Sequence, residues 1–193
     1  MKNLKSLAAL IALLLPLGIS TASAADAPVG NAVEMDLQVD IPKDAWRYQF
    51  YQNSIPLELD QNYLLTFWAK ADRPVEFAVA AKQSAPPWGF LGLNTSTYAG
   101  TEWKLYRMPF AATKAIPGKS RISFSLKEKQ AVKIWIADVK IVPAGPAGKD
   151  AANMVRNPRF EQGFGEWYSE GTKVGVYSVQ VVQQSAIPAA AAE

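Results

Sequence analysis

The side chains with which this chain of 193 residues can act chemically are carboxylates and aromatic rings, because it has no His and no Cys. Ser-His-Asp and Cys-His nucleophile systems are therefore excluded. Zinc sites are disfavoured on the same ground, since they rely on the same two residue types. Acid–base work by Asp and Glu, binding of hard cations and aromatic binding surfaces remain.

Paired carboxylates would be sufficient for glycoside hydrolysis, but no pair stands out by its spacing. Asp36, Asp40 and Asp44 lie on the edge of a predicted strand and in a turn, and Glu161 and Glu166 flank a later turn. With 17 acidic residues in the chain, such proximity is expected by chance. The sequence therefore predicts a protein that is not an enzyme.

The aromatic residues, with six Trp and seven Tyr, are numerous enough for a binding surface. Sugar rings stack their apolar faces on aromatic side chains, while amides, carboxylates and cations pair with the hydroxyls. Trp88 lies in the loop SAPPWGF, where the prolines would hold it in place and reduce the entropy lost on binding. It either contacts a ligand or caps the core.

A second aromatic candidate, Trp68, lies on a predicted strand. The alternation of that strand places Trp68 and Lys70 opposite its apolar face. A neighbouring predicted strand would add Arg47, Gln49 and Tyr51 to the same surface. This surface either binds sugar or packs under a loop.

Two other tryptophans are assigned by alternation alone. Trp46 shares its face of a predicted strand with two further aromatic residues, which indicates a core position. Trp135 alternates with isoleucines, which predicts a position on the surface or the rim. Neither is included in the predicted site.

Short strands must position these residues, because the sequence alternates with a period of two and shows almost no helical period. Pro and Gly residues separate the alternating segments, a pattern typical of β-sandwiches and barrels. Residues 143–152 have the composition of a linker. Two further strand-like segments follow, at 153–160 and 173–182, and residues 184–193 are predicted to be a disordered tail.

The first 24 residues have the pattern of a Sec signal peptide. Two lysines precede an apolar run, and Ala22-Ser23-Ala24 forms an A-x-A cleavage site. The run, of about 11 residues, is too short for a membrane span of about 20. The sequence therefore predicts an exported protein, periplasmic or secreted, without a membrane span after cleavage. An uncleaved anchor is the alternative.

The charge pattern does not support a nucleic-acid partner. The formal net charge is +3, and two of the positive charges lie in the predicted signal peptide. No cluster of five or more Lys and Arg residues occurs anywhere in the chain.

The order and spacing of several segments resemble the CenC-type carbohydrate-binding modules, which are galactose-binding-like β-jelly rolls. The match covers about residues 32–142 and includes SIPLELDQNYLLTFWAKADRPVEFAVAAKQSAPPWGFLGLN, EWKLYRMPF, ISFSL and VKIWIADVKI. The resemblance implies an all-β sandwich and non-catalytic binding of a polysaccharide or oligosaccharide. It also implies that the loop with Gln83 and Trp88 borders the cleft, so that both residues contact the ligand. Trp103 matches a core tryptophan of the family, and Trp167 matches its structural strand-closing tryptophan.

One part of the family pattern is displaced. Such modules begin with N-x-x-x-N-x-x-F-E-x-G-x-x-x-W, which here matches residues 153–167. The first and last strands of the family fold are neighbours, so we predict a circularly permuted jelly roll. Residues 25–142 would form its main part, and residues 153–183 would supply the missing strands. The alternatives are strand exchange with a second copy and the remnant of another module.

The resemblance further implies a structural calcium ion, because related modules often hold one near the first strand and a final Asp-Asp-Val segment. Glu161 and Asp138 match those positions, while Ala137 stands where the family has its first Asp. Otherwise Glu161 is a surface carboxylate and Asp138 a hydrogen-bond acceptor at a strand end.

The sequence leaves a second function open. A sandwich of the cell envelope that kept the fold but lost sugar binding would instead have a structural role or bind a protein partner. Fold alone does not choose between these functions, because one fold hosts many of them.

Overall fold

The computed structural model describes residues 30–40, 47–172 and 175–184. The predicted signal peptide and Trp46 lie outside these ranges. The described residues contain no α-helix; one 3-10 helix, Pro146–Gly148, lies in the predicted linker. The strands are β1 (Gly30–Leu37), β2 (Gln49–Asn53), β3 (Asn62–Ala71), β4 (Val75–Gln83), β5 (Phe90–Ala99), β6 (Lys104–Ala111), β7 (Ser120–Leu126), β8 (Val132–Pro143), β9 (Trp167–Glu170) and β10 (Tyr177–Gln184). A search of the described ranges finds no helix that is both long and apolar enough to span a membrane.

The strands form two five-stranded sheets, which face each other as a sandwich. The first sheet has the order β10-β1-β8-β3-β6 and the second the order β5-β4-β7-β2-β9. All pairs of neighbouring strands are antiparallel. This architecture confirms the predicted all-β sandwich.

The core lies between the sheets and is rich in aromatic rings. In β3, alternate residues are buried as the sequence pattern predicts: Tyr63, Leu65, Phe67 and Ala69. The Phe67 ring stacks on Tyr106 of β6 with 5.0 Å between centroids, and it meets Phe124 of the second sheet edge-on at 5.0 Å. Because the inward positions of each strand are filled in this way, the intervening positions form the two outer faces of the sandwich.

The last two strands occupy one edge of each sheet. Strand β10 pairs with β1 along its whole length, so that Gly30 lies opposite Gln184. Strand β9 pairs with β2, where Gln52 lies opposite Trp167. Trp167 is buried and stacks on Phe50 at 4.6 Å with an interplanar angle of 9°, which agrees with the structural role implied for it.

Residues 153–160 do not form the strand that their composition suggested; they form bends and turns. Asn153 bonds to the backbone of β8 through its side chain, accepting from Ile141 N at 2.9 Å and donating to Val139 O at 3.0 Å. Phe160 has a φ of 57°. The Asn153 side chain takes hydrogen bonds with β8 that a neighbouring strand's backbone would otherwise make. The left-handed backbone of Phe160 is also incompatible with a strand.

Candidate functional site

The outer face of the second sheet has a floor of short side chains. Ala80 of β4 and Ser123 of β7 lie opposite each other in register, as do Ala78 and Ser125 in the next row. Ser123 is only 1% exposed although it points away from the core. Larger side chains around this floor therefore stand above it and shield it.

Trp88 forms one side of this face, on the loop between β4 and β5. It is 48% exposed and has a φ of 59°, a left-handed conformation that bulky residues rarely adopt. Hydrogen bonds fix the loop: Trp88 N donates to Ala85 O at 3.0 Å, and Gln83 N donates to Gly89 O at 2.8 Å. Residues that the surrounding structure holds in such a rare backbone conformation cluster at functional sites.

Arg121 of β7 links Trp88 to the neighbouring strand. Its Cζ lies 5.2 Å from the centroid of the Trp88 ring and 4.6 Å from that of Tyr51 in β2. Tyr51 in turn stacks against Tyr168 of β9, with 5.8 Å between centroids and an angle of 24°. These cation–π and ring contacts make one continuous row, with Trp88 and Tyr168 about half exposed at its ends.

Polar groups lie beside this row. Gln49 of β2 donates from Nε2 to Glu170 Oε2 at 2.8 Å and accepts from Arg121 Nη2 at 3.4 Å. Asn53 Oδ1 and Arg121 Nε are buried and have no hydrogen-bond partner within the described ranges. Buried polar groups are nearly always paired, and these two atoms are exceptions.

The charge on this face is predominantly positive. Lys82 of β4 lies directly opposite Arg121 in register. Burial, followed by repulsion from Arg121, lowers the pKa of Lys82 from its usual 10.5 to about 8, although Glu170 acts in the opposite direction. Burial also lowers the pKa of Arg121. We call the five residues Tyr51, Lys82, Trp88, Arg121 and Tyr168 the aromatic–basic face.

Of the residues predicted from sequence, four come together here: Gln49, Tyr51, Gln83 and Trp88. Gln83 supports the Trp88 loop, because its Oε1 accepts from Gly89 N at 3.3 Å. Arg47 is exposed and lies two residues before the start of β2, at the end nearest Gln49.

Trp68 and Lys70 do not belong to this surface. The predicted adjacency of their strand to Arg47, Gln49 and Tyr51 is wrong, because β3 pairs with β6 and β8 in the first sheet while β2 lies in the second. The two groups therefore lie on opposite sides of the sandwich.

Trp68 instead packs with Trp103 and Trp135 on the outer face of the first sheet. Lys70 Nζ lies 5.1 Å from the ring centroids of both Trp103 and Trp135. The implied core position of Trp103 is therefore wrong. Trp103 directly precedes β6 and stands three residues before Tyr106, which points into the core. Successive residues of an extended chain point to opposite faces, so Trp103 points outward. Trp135 lies on the surface, as predicted, and its Nε1 donates to Glu34 at 2.8 Å.

Four residues of the site were missed by sequence reasoning: Lys82, Arg121, Tyr168 and Glu170. Arg121 begins the segment RISFSLK, whose alternation indicates a strand but not which neighbour it faces. Tyr168 directly follows Trp167, so the core position of Trp167 already implied an outward tyrosine.

The predicted calcium ligands do not form a side-chain donor set by themselves. Asp138 Oδ1 accepts from Arg159 Nε at 3.2 Å, so its charge is already paired, and Glu161 is exposed. The described ranges contain no group of three or more His, Cys, Asp or Glu residues suited to a metal. Calcium takes six to eight oxygen ligands, and backbone carbonyls would have to supply most of them.

No protein-family model and no curated protein matches the chain, but solved structures do. The carbohydrate-binding module of PbXyn10C in its apo form is 20% identical, with a TM-score of 0.60 over 86% of this chain and 94% of that one. A CBM4 structure is 26% identical, with a TM-score of 0.52 over 61% and 78%. The N-terminal cellulose-binding domain from Cellulomonas fimi β-1,4-glucanase C is 19% identical, with a TM-score of 0.51 over 68% and 99%. The chain therefore has the fold of carbohydrate-binding modules.

Proposed function

We propose that this protein is a non-catalytic carbohydrate-binding protein that binds a polysaccharide or oligosaccharide on its aromatic–basic face. The observation that carries the proposal is the continuous row from Trp88 through Arg121 and Tyr51 to Tyr168, which ends in two half-exposed rings. The fold shared with carbohydrate-binding modules supports it.

The row has the parts that recognition of a sugar requires. The rings of Trp88 and Tyr168 offer flat apolar surfaces for pyranose rings. The exposed carboxylate of Glu170 and the partly exposed ammonium group of Lys82 lie on the same face and are suited to bind hydroxyls. Because larger side chains cover the floor of alanine and serine, the exposed rings present the contact surface.

The same residues give no support to hydrolysis. Glycosidases place two carboxyl groups on either side of the scissile bond. Beside the aromatic–basic face, the described residues offer Glu170, whose Oε2 is already bonded to Gln49. We therefore expect binding without turnover.

A glycan array with purified residues 25–193 is the first test, followed by titration of the best glycan against two variants. Trp88→Ala should weaken binding by about twofold to tenfold, since a stacked ring contributes about 0.5–1.5 kcal/mol. Trp68→Ala is the matched control, because it removes a partly buried tryptophan from the opposite sheet and should leave binding unchanged. The reverse result would move the site to the first sheet. A blank array from folded, monodisperse protein would favour the structural or protein-binding sandwich of the cell envelope.

Export and calcium are separate parts of the proposal. Cleavage after Ala24 would place the protein in the periplasm or outside the cell, and the intact mass of the protein recovered from those fractions tests it. Repeating the array with calcium and with a chelator tests whether Glu161 and Asp138 help to hold an ion. Loss of binding or of thermal stability on chelation would support the calcium site.

We further infer that the sandwich is a circularly permuted CenC-type jelly roll. The family's opening segment corresponds to residues 153–167, and the strand that follows, β9, lies at the edge of the second sheet. Gly30 and Gln184 are neighbours in the first sheet. A chain order that begins at residue 150 and joins residue 184 to residue 30 would therefore preserve every strand pair.

A further inference from the structure

The two cations of the aromatic–basic face are an unusual pair. Lys82 and Arg121 lie directly opposite each other on neighbouring strands, and like charges in that position destabilise a sheet. Arg121 is 7% exposed, so water screens the repulsion poorly. Within the described ranges, no carboxylate forms an ion pair with either cation.

The surroundings of Arg121 compensate its charge only in part. Tyr51 and Trp88 cover its guanidinium with their rings, and Gln49 accepts one long bond of 3.4 Å from Nη2. Its Nε is buried without a partner in the described part of the chain. A buried charge is costly unless it is paired, and a purely structural arginine would be expected to have a carboxylate beside it.

The nearest carboxylate, Glu170, is engaged elsewhere. It accepts a hydrogen bond from Gln49 at 2.8 Å and influences the cations only through space. The site therefore keeps a net positive charge next to an exposed tryptophan. Lys82 is partly exposed on the same face as Trp88, so a glycan bound there would bring its substituents close to this charge.

We propose that Arg121 and Lys82 form an anion subsite and that the protein prefers a glycan whose sugars carry an anionic oxygen group. This inference rests on the carbohydrate-binding function proposed above. Arginine offers a fork of donors to a carboxylate or a sulfate ester, and lysine adds a compact charge. The low pKa of Lys82 supports the same reading, because a bound anion would relieve the cost of its charge.

Paired polysaccharides test the preference. Polygalacturonate, alginate, glucuronoxylan and C6-oxidised cellulose are each compared with their carboxyl-reduced, neutral counterparts, and dextran sulfate is compared with dextran, all at 0.15 M salt. For every backbone that binds, the anionic member should bind about tenfold more tightly or better, as one added charge-assisted contact allows. If only the uronate polysaccharides bind, the subsite selects a carboxylate. If dextran sulfate binds as tightly as the uronate polysaccharides, the subsite accepts any anionic oxygen group.

Variants separate a built subsite from general charge attraction. Arg121→Gln and Lys82→Gln should each reduce the ratio of anionic to neutral affinity by about threefold or more, whatever either does to the affinity for the neutral member. Lys140→Gln is the control, because it removes the same charge from an exposed position on the first sheet. Lys82→Gln alone serves as the test if Arg121→Gln does not fold.

Three outcomes would overturn the inference. Equal binding of neutral and anionic members would leave the carbohydrate function intact and remove the anion subsite. An equal loss in Lys140→Gln and Lys82→Gln would show attraction by net charge alone. Failure of every member of the set, together with a blank glycan array, would remove the anion subsite and the proposed function together.

Discussion

Gln83 supports the loop that carries Trp88 through two hydrogen bonds to Gly89. The Oε1 of Gln83 accepts from Gly89 N, and the backbone N of Gln83 donates to Gly89 O. The two bonds join the ends of the loop that contains Trp88 in its left-handed conformation. Gln83→Ala removes the side-chain acceptor and should weaken glycan binding about threefold or more, with a stability loss of about 1 kcal/mol. Calorimetric titration and thermal melting measure the two effects.

Gln83→Glu is the matched variant, since a carboxylate keeps the acceptor for Gly89 N. It should restore the affinity lost in Gln83→Ala. An affinity in Gln83→Ala equal to that of the parent protein would show that the loop holds Trp88 without this bond.

Lys82 predicts a pH dependence of stability with a definite sign. Its pKa in the folded state is about 8 and that in the unfolded chain is near 10.5, so between these values the unfolded chain binds more protons. Stability should therefore rise as pH increases from 8 toward 10, once Lys82 becomes neutral in the fold. Below pH 8 the Lys82 side chain is charged in the folded state. Burial and repulsion from Arg121 make this charge destabilising, and attraction by Glu170 offsets only part of the cost.

Lys82→Gln should accordingly stabilise the protein at pH 7, by about 1 kcal/mol after allowance for partial exposure. The gain should fade as the pH approaches 10.5. Melting curves at pH 7 and pH 10 measure the difference, with Lys140→Gln as the control for net charge. A gain of the same size at both pH values would contradict the linkage.

The C-terminal segment from Phe160 onward supplies buried core residues as well as one edge strand of each sheet. Phe160, which precedes β9, is fully buried, and Trp167 stacks on Phe50. Truncating such a residue to Ala costs about 3–5 kcal/mol, against a total stability of roughly 5–15 kcal/mol for a domain. Deletion of residues 149–193 should therefore give an unfolded or insoluble protein.

Circular dichroism, solubility and thermal melting test the deletion, and Trp167→Ala provides a milder variant that should lower stability by about 3–5 kcal/mol. The loss of β9 and β10 also leaves β1 and β2 as unpaired edges, which favour aggregation. A soluble deletion variant with the melting temperature of the full chain would show that these strands are not part of the folded unit.

How much of each strand the sequence predicts depends on how strongly the strand alternates. In β3 and β4 every second residue is apolar, and these residues are buried as predicted. Strand β5 was not identified as a separate strand, because its segment NTSTY is polar on both faces. Part of an edge strand can be exposed on both faces, as most of residues 94–98 are. Such a segment has no alternation of apolar and polar residues, so its sequence gives a weak strand signal.

The arrangement of strands into sheets, by contrast, depends on contacts that sequence alternation does not contain. Alternation placed Gln49 and Trp68 on outward faces, and both do point outward. It could not tell that their strands belong to different sheets, since pairing partners are distant in the chain. For the same reason Arg121, which joins Trp88 to Tyr51, was recognisable only from the folded arrangement.

The sandwich as a whole makes the permutation testable by rejoining the chain. Gly30 and Gln184 are register partners at adjacent strand ends, so a linker of about two to four residues, such as Asn-Gly, can connect them as a hairpin. The linker residues Lys149 and Asp150 are exposed, which makes the bond between them a tolerant place for new termini. The rearranged chain would run from residue 150 to 184, through the linker, and from residue 30 to 149.

We expect this rearranged chain to fold with a melting temperature within a few degrees of that of residues 30–184 in native order, because every strand pair is retained. Its glycan binding should also match, since the rearrangement leaves β2, β4, β7 and β9 in place. Thermal melting, size-exclusion chromatography and titration with the same glycan make the comparison. Aggregation of the rearranged chain, with normal folding of the native-order chain, would contradict the permutation. It would show that the order of strands along the chain matters for folding.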